Sequence, residues 1–149
     1  MVNNYAMKRT FTIIALAALA LGSWSCAVPD EEFVHDDATI SAIKICTTKK
    51  DSSGETIKYE ALGVIDQEAG TIKFTIPKEN RREIDLDAVK FRANVGLDAY
   101  VKVTKELSKP VDRTLYGIHD VTEGIEVTVL AKMTGRTKDY YITAKYAKE

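Results

Sequence analysis

Apolar and polar residues alternate with a period of two through most of the chain after residue 38. The clearest example is the run from Thr71 to Ile76, in which Ile72, Phe74 and Ile76 would share one face. Because successive side chains of a strand point to opposite faces of a sheet, this alternation predicts a half-buried β-strand. The same pattern occurs at Ile43–Cys46, Ile57–Ala61, Val89–Val95, Ala99–Val103, Ile125–Met133 and Tyr140–Tyr146.

Polar turn signals separate these segments, and none of them has a helical period, so the predicted fold class is all-β. About seven short strands over roughly 110 residues are typical of an immunoglobulin-like β-sandwich. The charged stretch 78–85 is expected to be a loop or a short helical turn. The irregular stretch 105–123 is expected to be a loop with a short strand around Leu115-Tyr116. The predicted inter-sheet core is Ile72, Phe74, Ile76, Val127, Val129 and Ile142.

The beginning of the chain has a different pattern. Lys8 and Arg9 precede an apolar run, and small residues then lead to Cys26. A secretory signal peptide has three parts: a basic head, a short apolar run and small residues before the cleavage site. The apolar run is shorter than the roughly 20 residues that a membrane span needs. We therefore predict that residues 1–25 are a cleaved leader.

A cysteine at this position, preceded by Ser23 and Ser25, resembles the lipobox of bacterial lipoproteins. The resemblance implies that Cys26 becomes the mature N-terminus and carries a lipid anchor to the membrane. Residues 26–37 would then be the lipidated cysteine and a short acidic tether. Residues 38–149 would form the sandwich domain.

Two further likenesses concern the tether and the domain. The acidic run Asp30-Glu31-Glu32 resembles the export signal of Bacteroidota-type lipoproteins, which implies an outer-membrane location facing the extracellular side.

Within the domain, the segments that carry a likeness are Ala38–Ile43, Gly63–Asp66, Gly70–Pro77, Val127–Val129 and Lys138–Thr143. Together they resemble the immunoglobulin-like modules, several of unknown function, at the start of many Bacteroidota surface lipoproteins. In such proteins the module often precedes a glycan-handling or binding domain.

The charge balance bears on the class of ligand. The sequence holds 21 Lys and Arg against 22 Asp and Glu. Removal of the leader takes away Lys8 and Arg9 but no acidic residue, which makes the mature protein more acidic. Nucleic-acid binding requires clustered basic residues that neutralise phosphates, so nucleic acid is not expected as a partner.

The chain has two cysteines, Cys26 and Cys46. If Cys26 carries lipid, Cys46 has no partner in the chain and is expected to be a small, half-buried strand residue. A reactive thiol or an intermolecular disulfide at Cys46 is the alternative. A disulfide between the two cysteines would require the lipobox interpretation to be wrong.

Candidate catalytic and metal-binding groups are sparse. His35 and His119 are the two histidines and are expected to lie at the surface, since a metal site usually needs three or four ligands. Asp85 and Asp87 could form a carboxylate pair, but we expect solvated loop charges. The chain has neither a Gly-x-Ser-x-Gly motif nor a phosphate-binding glycine loop. These observations predict a protein that is not an enzyme and has no metal and no cofactor.

The tyrosines are the remaining candidates for ligand binding. Tyr100 and Tyr141 are out of phase with the core positions of their strands, and Tyr116 lies in the predicted loop. Tyrosine can stack on a sugar ring while its hydroxyl stays in water. The alternative is ordinary surface or edge-strand tyrosine, which favours β-structure.

Two hypotheses for function follow. The first is a non-catalytic cell-surface module that binds polysaccharide or another extracellular ligand through Tyr100, Tyr116 and Tyr141. The second is a structural or interaction subunit that docks on a partner protein of an outer-membrane complex. The first requires a polar patch with tyrosines, and the second requires an exposed apolar patch or an open sheet edge.

Overall fold

The computed structural model describes residues 36–56 and 58–148. The predicted leader, Cys26, the acidic run Asp30-Glu31-Glu32 and His35 lie outside these residues. The described strands are β1 Ile40–Cys46, β2 Glu60–Leu62, β3 Val64–Asp66, β4 Thr71–Ile76, β5 Val89–Val95, β6 Ala99–Glu106, β7 Lys109–Thr114, β8 Ile118–His119, β9 Ile125–Ala131 and β10 Thr137–Tyr146. One 3-10 turn, Lys78–Asn80, lies between β4 and β5.

The strands form two sheets. The smaller has the order β2-β1-β5-β8, and the larger has the order β3-β4-β10-β9-β6-β7. Neighbouring strands are antiparallel except β4 and β10, which run parallel. The Phe74 ring of the larger sheet lies 5.8 Å from the Phe91 ring of the smaller one, measured between centroids. The predicted all-β sandwich is confirmed.

The described chain has ten strands, where the sequence predicted about seven. The stretch 105–123 contains β7 and β8 rather than one irregular loop, and Leu115-Tyr116 lies in the turn between them. A second difference is at Gly63, where the chain leaves the smaller sheet after β2 and enters the larger sheet as β3. Alternation alone cannot show this change, because β2 and β3 have only three residues each.

The six predicted core residues are all buried, each at most 1% exposed. Ile72, Phe74 and Ile76 come from β4, and the other three come from β9 and β10. The smaller sheet supplies the opposing layer: Ile43, Ile45, Val89 and Phe91. The alternation of β9 had placed Met133 in phase with the core, but this residue is exposed because β9 ends at Ala131.

Gly63 allows the chain to cross between the sheets. Its amide donates to the Ile43 carbonyl at 2.9 Å. A Cβ atom at this position would lie 2.8 Å from Cζ of Phe74 and 2.9 Å from Cγ2 of Ile72. Any larger residue would therefore displace core side chains, so the crossing requires glycine.

His119 was predicted to be a surface residue, and this prediction is wrong. The side chain is 1% exposed. Its Nδ1 lies 3.1 Å from Oε2 of Glu106, and its Nε2 lies 3.0 Å from the Thr114 carbonyl oxygen. Each ring nitrogen therefore has a hydrogen-bond partner inside the fold.

Glu106 joins this contact to the backbone around β8. Its Oε1 accepts from the Asp120 amide at 2.7 Å, and its Oε2 accepts from Arg113 at 3.1 Å. Arg113 also donates to the Ile118 carbonyl at 2.9 Å. These bonds attach β8, a strand of the smaller sheet, to β6 and β7 of the larger sheet.

Replacing Phe74 by alanine should remove a large part of the inter-sheet core. We expect a loss of about 3–5 kcal/mol in the free energy of unfolding, because a fully buried aromatic ring leaves a cavity. Denaturant titration followed by circular dichroism would measure the loss. Val64→Ala on exposed β3 is the matched control and should change stability by less than about 0.5 kcal/mol. Equal stability of Phe74→Ala and wild type would contradict the core assignment.

Replacing His119 by alanine should leave the Glu106 carboxylate and the Thr114 carbonyl without one partner each. A buried acceptor that loses its donor costs about 1–3 kcal/mol, so thermal melting should show clear destabilisation. His119→Gln keeps a side-chain amide donor and should lose less stability. An alanine variant as stable as wild type would show that the buried contact does not hold β8.

Candidate binding groove

The three predicted ligand-binding tyrosines do not share one surface. Tyr100 on β6 pairs with Leu130 of β9, and Tyr141 on β10 pairs with Glu126 of β9. Both belong to the larger sheet, but their partners are four residues apart, which is about 13 Å along a strand. Tyr116 instead borders the outer face of the smaller sheet.

The surroundings of the three rings differ as well. The Tyr141 hydroxyl donates to the Glu123 carbonyl at 2.7 Å, so it is already used within the fold. Tyr100 is half-buried, with the Lys132 ammonium 6.0 Å from its ring centroid. Tyr116 is 51% exposed, and its hydroxyl has no hydrogen-bond partner among the residues that the structure describes. Tyr116 is therefore the tyrosine with the most freedom to contact a ligand.

Tyr116 lies beside a groove on the outer face of the smaller sheet. The register places Glu60, Cys46, Lys90 and Ile118 in one row across β2, β1, β5 and β8. The groove comprises two adjoining depressions of about 630 Å³ and about 610 Å³. Their combined lining is Cys46, Thr47, Thr48, Lys50, Thr56, Lys58, Tyr59, Glu60, Lys90, Phe91, Arg92, Tyr116 and Ile118. We call this surface the β1–β5 groove.

The carboxylate of Glu60 is neutralised by two neighbours. Its Oε2 lies 3.0 Å from the Lys44 ammonium, and its Oε1 lies 3.0 Å from the Arg92 guanidinium. The hydrogen bond from Lys44 is the largest cause that lowers the pKa of Glu60, so the carboxyl is charged at neutral pH.

Three lysines of the groove lack such a counterion. Lys50, Lys58 and Lys90 are exposed and form no ion pair within residues 36–56 and 58–148. Among the described residues that line the groove, one is acidic, and this is Glu60. The groove is therefore locally positive, although the chain as a whole carries a net charge of −1.

Cys46 lies in the middle of the groove and is half-buried in β1, as predicted. Its thiol donates a weak hydrogen bond to Oε1 of Glu60 at 3.8 Å. Burial raises the pKa of this thiol, and the nearby Glu60 carboxylate raises it further. A neutral thiol is a poor nucleophile, so this environment does not favour the alternative of a reactive cysteine.

The groove and the start of the described chain lie at opposite ends of β1. Asp36 accepts from Thr134 at 2.7 Å and pairs with Arg136 at 2.9 Å, at the turn between β9 and β10. Strand β1 then begins at Ile40 and reaches the groove at Cys46. Six residue steps along a strand span about 20 Å, so the groove lies well away from the point where the chain enters the domain.

The two carboxylates considered for catalysis have different surroundings. Asp85 is bound to Lys49 at 2.8 Å, and Asp87 is exposed in a turn, as predicted for loop charges. Among the residues that the structure describes, no group of three or more His, Cys, Asp and Glu side chains could hold a metal ion. The same part of the chain has no helix that is long and apolar enough to cross a membrane.

The fold of the chain is similar to that of a protein of known structure. No protein-family model matches the chain, and no curated protein matches it. The fold is similar to a crystal structure of a "putative secreted protein" from Bacteroides fragilis, with 23% sequence identity and a TM-score of 0.47. The similarity covers 77% of this chain and 99% of that chain. The function is therefore inferred from the groove and from the leader sequence.

Proposed function

We propose that the protein is a non-catalytic cell-surface lipoprotein module that binds polysaccharide in the β1–β5 groove. The observation that carries the proposal is Tyr116, an exposed aromatic ring at the edge of an open groove, whose hydroxyl bonds to none of the described residues. Aromatic faces stack on sugar rings, and the tyrosine hydroxyl can still bond to water or to the ligand.

The polar lining of the groove suits the same class of ligand. Thr56 and Lys58 offer hydroxyl and ammonium groups from the segment between β1 and β2, and Lys90 offers an ammonium group from the sheet. Each such bond to a sugar hydroxyl replaces a bond to water, so the net gain per contact is modest. We expect weak binding that depends on several contacts along a polymer.

The cellular location is part of the proposal. The leader and Cys26 support a lipid anchor, and the acidic run after Cys26 supports display on the outer face of the outer membrane. The groove lies at the end of β1 far from Asp36, which belongs to the last part of the predicted tether. A tether attached at Asp36 would leave the groove accessible to polymers outside the cell.

Docking on a partner protein of an outer-membrane complex is the second candidate function. Leu62 at the end of β2 and Val64 at the start of β3 are 67% and 73% exposed. Both strands lie at the edges of their sheets, on either side of Gly63. Exposed apolar side chains beside unpaired strand edges are a feature of protein-binding surfaces.

The anchor can be tested with Cys26→Ala. Without the acceptor for lipid, we expect an uncleaved or soluble product in place of a membrane-bound one, because stable attachment takes acyl chains. Fractionation and mass spectrometry of the mature N-terminus would measure this, with Cys46→Ala as the matched cysteine control. An unmodified Cys26 in the mature wild-type protein would contradict the lipoprotein assignment.

Affinity electrophoresis on a panel of polysaccharides would test the groove. At least one polysaccharide should retard the wild-type protein. Tyr116→Ala should weaken the binding that causes this retardation about two- to tenfold, because stacking by one aromatic ring contributes roughly 0.5–1.5 kcal/mol. Tyr100→Ala, on the other sheet, is the matched control and should migrate like wild type.

Loss of retardation in Tyr100→Ala but not in Tyr116→Ala would move the site to the larger sheet. Absence of retardation by every polysaccharide would favour the docking function. In that case Leu62→Ser with Val64→Ser should release the protein from its complex.

A further inference from the structure

We propose that the β1–β5 groove selects acidic polysaccharides, in which carboxylate groups on the sugar rings meet the unpaired lysines. The inference rests on the proposed polysaccharide binding and names the chemical class of ligand. It is carried by the placement of cationic groups in the groove, which is independent of the argument from Tyr116.

The groove contains more positive charge than its own carboxylate can neutralise. Glu60 is already bonded to Lys44 and Arg92. Lys90 lies in the sheet between Cys46 and Ile118, with no counterion in the described part of the chain. Lys58 is likewise unpaired there and lies on the opposite side of Cys46, in the segment that leads to β2.

This arrangement suits a chain of spaced negative charges. The row from β2 to β8 crosses three strand spacings, which is about 14 Å, and unpaired ammonium groups flank its centre. Tyr116 and Ile118 form the β8 end of the row and provide an apolar face for a sugar ring. An apolar face at one end of the groove and ammonium groups nearer its centre suit a polymer whose rings carry carboxylates.

The local charge of the groove does not follow from the charge of the chain as a whole. The chain has a net charge of −1, so general electrostatic attraction does not favour polyanions. On the outer face of the larger sheet, Lys102 and Lys105 are paired with Asp112 and Glu126 at 2.7 Å and 2.9 Å. Unpaired lysines facing a groove are therefore expected to attract acidic ligands to that groove.

The test uses the full-length lipidated protein in detergent solution and two ligands with the same backbone. Polygalacturonate carries a carboxylate on each ring, and its methyl ester carries none. We expect at least tenfold tighter binding of polygalacturonate in isothermal titration calorimetry. Raising NaCl from about 50 mM to about 500 mM should remove most of this preference, because exposed charges are screened at high salt.

The double variant Lys58→Gln/Lys90→Gln should lose the preference. An exposed ion pair contributes up to about 1 kcal/mol, so two lost pairs correspond to a loss of up to about thirtyfold. Because neither lysine is paired with a described residue, the variant should melt like wild type. Lys73→Gln/Lys109→Gln removes the same charge from the larger sheet and should bind like wild type.

Each alternative result has a separate meaning. Equal binding of polygalacturonate and its methyl ester would overturn the acidic class while leaving polysaccharide binding intact. An equal loss in both double variants would show that net charge, not the groove, determines the preference. Binding of duplex DNA as tight as that of polygalacturonate would show unselective polyanion binding and would overturn the inference. Failure of the whole polysaccharide panel would overturn the proposed function itself.

Discussion

The buried contact between His119 and Glu106 determines how the smaller sheet ends. Strand β8 has only two residues, too few to be held by its pairing with β5 alone. The side chains of Glu106 and Arg113 bind it from the larger sheet through the His119 ring and the backbone of Asp120 and Ile118. With His119 directed into the core, its neighbour Ile118 must face outward. The same geometry brings Tyr116 to the groove, so the candidate site depends on a bond in the interior.

The strongest strands of the fold could be predicted from alternation alone. The apolar residues of β4, β9 and β10 recur every second position, and they are buried in the structure. His119 could not be predicted in this way, because it follows one exposed apolar residue and precedes Asp120 in an irregular stretch. Its burial depends on Glu106, which is thirteen positions earlier in the chain. A polar core contact between distant residues leaves no periodic signal in the sequence.

The groove could likewise be predicted only in part from the sequence. The outward positions of β1 and β5 were visible in the alternation, and Lys90 and Arg92 were among them. Their assembly with Glu60 and Ile118 depends on the register of four strands that are separated by long stretches of sequence. Tyr116 was a candidate because it was a tyrosine outside the core pattern. Its separation from Tyr100 and Tyr141 became clear only when the sheet order was known.

The parallel pairing of β4 with β10 has a consequence for how the domain acquires its structure. Strand β10 lies between β4 and β9, so it joins the β3–β4 hairpin to the rest of the larger sheet. The paired residues of β4 and β10 are about seventy positions apart in the chain. The pairing begins with Thr71 and Tyr141 and ends with Ile76 and Tyr146. A ribosome that has released only β1 to β9 has therefore produced a chain whose larger sheet is in two pieces. We expect the nascent domain to remain open until β10 emerges, so folding should follow synthesis of this last strand rather than accompany it.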